Sequence, residues 1–582
     1  MTKDMDESAE TVAADELSSK GIMSHDSTPA LPKRLWRWVI THKKSTIPTA
    51  AIVVIALLAA IPSTRYALAG TVVKQQFDVA VVDSQTGKPV TSAEVMLKGK
   101  IVRTDNQGRA LLRVPVGSGD LEIRKQHYKG ATVKVLVPIA KPKTAQLVSL
   151  QATGRQVPIV VVNKISGEPV GDAVVRVADT QVKTDKKGEA VMVVPANKTE
   201  LSGTVSAAGY NNSTITVKVA VQKDLSNTFA LTPSGKVYFL SNQGGKIDVV
   251  KTDLDGSNRQ VVLAGTGKED RYGTVLLASR DWKYLALLSK RDGGERPKLF
   301  LIETATDKLT TMDEGEAEFT LYGWSGNRFV YGVHRSKVEL WQPKRQALKS
   351  YDASAKKVVI LDEVGGEGSS ASYAYDYIGA QVYVFDKEIV YTKGFQNALY
   401  GITEKKATLN TAQADGSGKK VIKGYGPQGA VSGYNIDVRA YGFNELYIRY
   451  YLDSKSRYDE YEDGRIKAAE ITDSEFYDDS YTTHLVSPSG EKTFWNDLRD
   501  GKTILFVGDK KAENEKRIVE LDAEYAAYGW YTDNYILLSK KGSELLMLAA
   551  TSPKNGLKPV KLSDYYKPSY SFRGYGYGYG GL

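Results

Sequence analysis

Few residue types in this chain could carry catalysis. Three of its five histidines, His127, His334 and His484, lie beyond a long apolar segment, and none belongs to a His-Glu-x-x-His pair. No phosphate-cradling or dinucleotide-binding glycine pattern occurs. Gly323-Trp324-Ser325-Gly326-Asn327 approaches the elbow that exposes a nucleophilic serine, but its last position is Asn327 and no helical periodicity follows. Cysteine is absent, which removes thiol nucleophiles, cysteine zinc sites, disulfides and a lipid-modified cysteine together. No catalytic, cofactor-binding or metal-ligating residue is therefore assigned.

Two other features invite a ligand. Asp459, Asp463 and Glu470 stand at positions 1, 5 and 12 of a segment with Gly464 at position 6, the spacing of a calcium loop. Tyr461 at position 3 and Lys467 at position 9 break that pattern, and a solvated insertion between strands is the other reading. Tyrosine outnumbers phenylalanine 35 to 13 and clusters at Tyr373, Tyr375 and Tyr377, at Tyr447, Tyr450 and Tyr451, and in Tyr575, Tyr577 and Tyr579. An amphipathic ring suits stacking on sugars or partner side chains, and equally cross-strand packing.

The elements that would position these residues begin with Ser45 to Thr64, a stretch without charge that as a helix spans about 30 Å, enough for a bilayer core. Lys33, Arg34, Arg37, Lys43 and Lys44 precede it and only Arg65 and Lys74 follow closely, so the positive-inside bias keeps the N-terminus in the cytoplasm and the C-terminal bulk outside. Trp36 and Trp38 suit the inner interface. Ala67-Leu68-Ala69 has the form of a signal-peptidase site, which leaves a cleaved signal as the alternative. Residues 1–44 form a cytoplasmic head whose acid-rich part to residue 32 buries no apolar face and is expected to be disordered. The cysteine-free composition fits a bacterial envelope protein, and a net charge of +10 without a dense basic run fits anionic envelope polymers better than nucleic acid.

Beyond the apolar segment the chain repeats itself 80 residues apart: Gly87-Lys88-Pro89-Val90 returns as Gly167-Glu168-Pro169-Val170, Thr104-Asp105 with Gly108 as Thr184-Asp185 with Gly188, and Val114-Pro115 as Val194-Pro195. Alternating runs Phe77 to Val82, Ala93 to Leu97 and Ala110 to Val114, with Val157 to Val162, Ala173 to Val177 and Ala190 to Val194, predict short strands. Asp105 and Asp185 would cap tight hairpins, with Gly108 and Gly188 supplying positive φ. On these residues the chain resembles the carboxypeptidase-regulatory-like family of transthyretin-like β-sandwiches. The resemblance implies two non-catalytic spacer domains, 70–152 and 153–232, in which both aspartates are turn residues.

From Gly235 onward short strands recur every ten to fifteen residues, which predicts a β-propeller over 233–572. Asp253-Leu254-Asp255-Gly256-Ser257 is matched by Ala414-Asp415-Gly416-Ser417, Tyr322-Gly323-Trp324 by Tyr441-Gly442-Phe443 and Tyr528-Gly529-Trp530, and Ser487-Pro488-Ser489-Gly490-Glu491-Lys492 has the look of a strand-linking turn. As a set these motifs are similar to TolB-like or WD40-like propellers, which implies a partner-binding face without implying catalysis. Strand grouping gives seven blades near 235–264, 272–313, 319–352, 373–423, 434–487, 490–522 and 525–563. The first is a strand short, and Tyr566 to Phe572 is expected to close the ring, leaving 573–582 as a Gly/Tyr-rich tail.

The fold class read from the sequence is mainly β: a transmembrane signal anchor over 45–69, two β-sandwiches and a C-terminal propeller. The function is binding or scaffolding at a bacterial envelope with a protein or glycan partner, no nucleic acid and no cofactor. A propeller enzyme acting on envelope polysaccharide or peptide, and a transmembrane sensor, are the alternatives. Protease added to intact cells is expected to digest the C-terminal region while sparing an N-terminal tag. A protected C-terminus would contradict the orientation, and mature protein starting at Gly70 would identify a cleaved signal.

Overall fold

A computed structural model describes Val53 and residues 62–563, apart from Lys141, Lys143, Ala196, Phe443 and the segments 220–226, 367–373, 398–405, 427–435, 453–454, 478–485, 522–524, 541–545 and 555–556. The acidic head, most of the segment 45–69, the expected closing strand Tyr566 to Phe572 and the tail 573–582 lie outside the described residues. What is described next to the apolar segment is helix α1 (Pro62–Val72), which runs past Ala69. Among the described residues no helix is long and apolar enough to cross a membrane.

The described chain forms two compact units, one containing the residues to Val82 with Ala93–Arg124 and Gly130–Ser149, the other Asp83–Ser92, Lys125–Lys129 and everything from Leu150. The first repeat contributes β1 (Lys74–Asp83), β2 (Glu94–Leu97), β3 (Lys100–Arg103), β4 (Arg109–Pro115), β5 (Gly117–Arg124), β6 (Ala131–Val137) and β7 (Gln146–Leu150), in sheets ordered β4-β1-β7 and β3-β2-β5-β6. The second contributes β8 (Arg155–Asn163), β9 (Val174–Val177), β10 (Thr180–Lys183), β11 (Glu189–Val194), β12 (Glu200–Ser206), β13 (Ser213–Lys218) and β14 (Asn227–Leu231), ordered β11-β8-β14 and β10-β9-β12-β13. The sequence repeat is thus a repeat of topology. In the second copy both sheets bury one shared core, with Val157, Ile159 and Val161 of β8 against Val175 and Val177 of β9 and Val217 of β13. Alternation of buried and exposed residues along β4 and β8 is the period-two pattern of strands with one face on a core.

The turn chemistry follows the residues. Asp105 Oδ1 accepts from the amides of Gln107 and Arg109, Asp185 Oδ1 from those of Lys187 and Glu189, and Gly108 and Gly188 stand at φ of +70° and +72°. A Cβ at Gly188 would lie 2.4 Å from the Val161 carbonyl oxygen, so space as well as φ demands glycine.

Seven antiparallel meander sheets follow, each with its strands in sequence order: blades 1 (236–263), 2 (275–313), 3 (318–364), 4 (374–425), 5 (437–469), 6 (492–521) and 7 (525–563). Blades 1 and 6 have three described strands and the others four. A single bridge from Val486 to Thr493 stands where blade 6 would have its innermost strand. Two expected boundaries are corrected: blade 3 runs beyond residue 352 because Lys357–Val364 pairs as its fourth strand, and blade 5 ends at Ala469, since Val486 belongs to blade 6.

Shared apolar cores join blades 1 and 2, 2 and 3, 3 and 4, 4 and 5, and 6 and 7. Val237, Phe239 and Val250 of blade 1 also bury against Tyr531, Leu537 and Leu548 of blade 7, which joins the last sheet to the first and makes the set a propeller ring. The second repeat is fastened at that same seam. Ile165, in the turn after β8, enters the blade 1–7 core, Asn163 Nδ2 donates to Tyr535 Oη at 2.9 Å, and Lys164 pairs with Asp255 at 2.6 Å.

Carboxylates, two buried and two half-buried, stitch neighbouring blades. Asp313 of blade 2 accepts from Tyr331 Oη at 2.7 Å and Lys349 Nζ at 2.8 Å, both on blade 3. Asp362 of blade 3 accepts from Tyr391 Oη at 2.8 Å and Lys419 Nζ at 2.6 Å and faces Lys393 Nζ at 3.3 Å, all on blade 4. Asp459 of blade 5 takes Tyr425 Oη at 2.9 Å and Lys423 Nζ at 2.5 Å from blade 4, and Asp307 of blade 2 takes Tyr238 and Lys251 from blade 1.

Burial pushes the Asp362 carboxyl up, but the Lys419 and Lys393 ammonium groups outweigh it and hold its pKa below the ordinary value. A carboxylate with a folded pKa below its unfolded one stabilises the fold above the unfolded value, near about 4, and that contribution is lost as pH falls through the folded value. Asp362→Asn is therefore expected to lower the thermal midpoint at neutral pH and to flatten its decline in acid. Parallel curves for the two proteins below about pH 4 would contradict the assignment.

Candidate functional site

The Tyr-Gly-aromatic motif marks a β-bulge in the first strand of three blades. Leu321 pairs with Tyr331 and Gly323 with Val330, leaving Tyr322 as the extra residue. Tyr441 is skipped in the same way between Ala440 and Gly442, and Tyr528 between Ala527 and Gly529. A bulge re-aims the side chain it inserts. Tyr322 packs in the core shared by blades 3 and 4, and Tyr441 stacks on Tyr447 with ring centres 3.8 Å apart and donates to Glu460.

Tyr528 reaches a cavity of about 70 Å³ where blades 1, 2, 6 and 7 meet, lined also by Tyr238, Arg280, Trp282, Pro488 and Trp530. The two tryptophans reach it differently. Trp530 follows the bulge and is buried, whereas Trp282 sits in the first turn of blade 2 at φ +57° with its ring 5.1 Å from that of Tyr531. The Tyr528 hydroxyl is fully enclosed and has no hydrogen-bond partner among the described residues, and burial pushes its pKa far above the phenol range, so it is a neutral donor. Arg280 pairs with Asp386 of blade 4 at 3.4 Å, and the Asp386 carbonyl accepts from Ser325 Oγ of blade 3 at 3.1 Å. On the other side Asp533 of blade 7 accepts from the Ser489 amide of blade 6 at 3.1 Å.

This arrangement offers a guanidinium, a neutral phenol and two indoles. A general acid and base in mutual reach are not among the cavity's lining residues. The volume suits a few ordered waters or one small polar group. Among the described residues no cluster of three or more His, Asp or Glu side chains could hold a metal ion.

A second polar–aromatic cluster sits on blade 5. Arg449 donates to Tyr477 Oη at 2.6 Å and Tyr451 Oη at 2.5 Å and pairs with Asp473 at 3.2 Å, while Arg439 lies 4.9 Å from the Tyr477 ring centre. Helix α2 (Asp473–Phe476), closed by a Thr472–Glu475 capping box, buries Phe476 and so holds Tyr477 in place. Tyr451 and Tyr477 are exposed, so their rings are available for stacking.

The residues singled out in the sequence are scattered. His127 occupies a turn at φ +63°, and His334, whose pKa is lowered by burial and by Arg345, accepts from Arg345 Nε at 3.1 Å on blade 3. His484 lies outside the described residues. Gly323 to Asn327 form a strand-to-strand hairpin, since Ser325 pairs with Arg328, and so no elbow exists. The segment 459–470 is neither a calcium loop nor an insertion: it is the last hairpin of blade 5, with Asp459 buried against Lys423 and Tyr425, Asp463 at the turn and Glu470 just beyond Ala469. Arg280 carried no local signal, whereas Tyr528 was visible in the sequence only as part of the blade motif.

No protein-family model matches the sequence, and no curated protein does. Solved structures with a similar arrangement include an oligogalacturonate lyase in complex with manganese, at 15% identity over 54% of this chain and 85% of that one, with a TM-score of 0.31. TolB from Acinetobacter baumannii is similar at 10% identity over 56% and 76%, with a TM-score of 0.26. The β-propeller domain of the Trilobed protease from Pyrococcus furiosus is similar at 9% over 64% and 96%, with a TM-score of 0.31.

Because the Tyr528 hydroxyl is buried without a partner, Tyr528→Phe is expected to leave stability unchanged or raise it by up to about 1 kcal/mol in thermal unfolding. A loss of about 1 kcal/mol or more would show that a bound water or ligand occupies the cavity.

Proposed function

We propose that this chain is a membrane-anchored, extracytoplasmic binding or scaffold protein of a bacterial envelope, with the propeller as recognition head and the two repeats, similar to carboxypeptidase-regulatory-like modules, as its stalk. The observation that carries the reading is the fastening of the second repeat: Ile165 is buried in the core between blades 1 and 7, with Asn163 and Lys164 bonded on either side of it. A spacer joined in this way holds a head in fixed orientation, which is useful for presenting a surface. The buried carboxylates Asp362 and Asp459 and the half-buried Asp313 are each engaged by tyrosine and lysine, so they act as structural clips. The exposed Tyr451 and Tyr477 beside Arg439 and Arg449 supply aromatic and cationic groups of the kind that recognise sugars or partner side chains.

Crosslinking of the tagged full-length chain in intact cells should yield envelope adducts that map to propeller residues, while the purified chain leaves polyuronate and peptide substrates intact. Turnover of either substrate that is lost with a propeller substitution would replace this reading with an enzymatic one.

A further inference from the structure

The last strand of blade 6, Lys516–Leu521, pairs on one side with Lys502–Asp509 and on its other side with no strand among the described residues. Beside that edge lies a groove of about 750 Å³, bounded across from it by residues of blade 7. The volume is within the range of sites that accept peptides and small molecules, and about tenfold that of the channel cavity.

Two properties identify the occupant. The floor is apolar, formed by Ile518, Leu521 and Met547, and the rim is basic. Lys554, Lys558 and Lys561 are exposed on it and have no carboxylate partner among the described residues. The one acid in the lining, Glu520, is already paired with Lys502 at 2.9 Å and Arg517 at 3.3 Å. We propose that this groove binds an extended acidic polypeptide segment of a partner, which adds as a further strand along Lys516–Leu521 and sets its carboxylates against the three lysines. A six-residue strand offers about 20 Å of unpaired backbone groups for such an addition. Side chains of the incoming strand on the face toward blade 7 meet the apolar lining and the lysines together. A uronate polymer would satisfy the lysines but leave the apolar floor without a counterpart. The inference deepens the binding reading and rests on it.

The test uses the purified full-length chain and a fluorescent synthetic peptide alternating glutamate with valine. Binding that weakens with salt, falls about tenfold or more in a Lys554→Glu/Lys558→Glu/Lys561→Glu variant, and slows amide exchange within 516–521 is the expected result. All three positions are exposed, and an unchanged thermal midpoint verifies that the variant folds. Equal affinity in the variant, no change in exchange along the strand, or binding of polygalacturonate in place of the peptide would each overturn the proposal. If adducts to the propeller still form in intact cells while peptide binding fails, the groove assignment alone falls and the binding role stands.

Discussion

A four-stranded meander has two faces and cannot bury both by itself, and the propeller is the consequence of that constraint. Blades hide apolar faces against neighbouring blades, as Trp324, Phe329 and Tyr331 of blade 3 do against Leu277, Leu301 and Met312 of blade 2. The contact of blade 7 with blade 1 is the decisive case, because it leaves neither terminal sheet with an uncovered apolar face. Among the described residues, apolar burial between blades 7 and 1 joins the last sheet to the first.

Apolar contacts alone would let blades slide, since they lack direction. The Tyr–Asp–Lys clips supply direction: Asp313, Asp362 and Asp459 each receive a phenol and an ammonium from one neighbouring blade. A buried carboxylate that lost such partners would be strongly destabilising, so each clip admits one blade register. Tyrosine is needed at Tyr331, Tyr391 and Tyr425, because phenylalanine fills the same volume but cannot donate. At the blade 3 bulge Gly323 sits at φ +136°, a conformation that favours glycine.

The same seam that closes the ring carries the second repeat. Asp255, in the last turn of blade 1, accepts from Lys164 and from Thr232 Oγ1 at 2.8 Å, and these contacts together with burial set its pKa: burial raises it, and the hydrogen bonds from Lys164 and its neighbours lower it further than burial lifts it. The exposed tyrosines of blade 5 and the outer edge of blade 6 lie away from that seam.

Local and periodic signals determined much of this chain from sequence. Two copies of Asp-x-x-Gly specify hairpins through bonds that span four residues, and alternating apolar runs specify strands, so the repeat, its turns and the number of blades were legible. The apolar segment with its flanking cations is equally local. Where the pattern was ambiguous, tertiary pairing decided. Asp459 to Glu470 has the acid spacing of a loop, but Tyr461 and Ile466 pair across a hairpin and Asp459 is drawn into the blade 4 seam. Arg280 meets Asp386, and Tyr461 meets Glu388, across distances in sequence that no motif spans. Side chains distant in sequence become a site through packing, and packing is a property of the assembled ring.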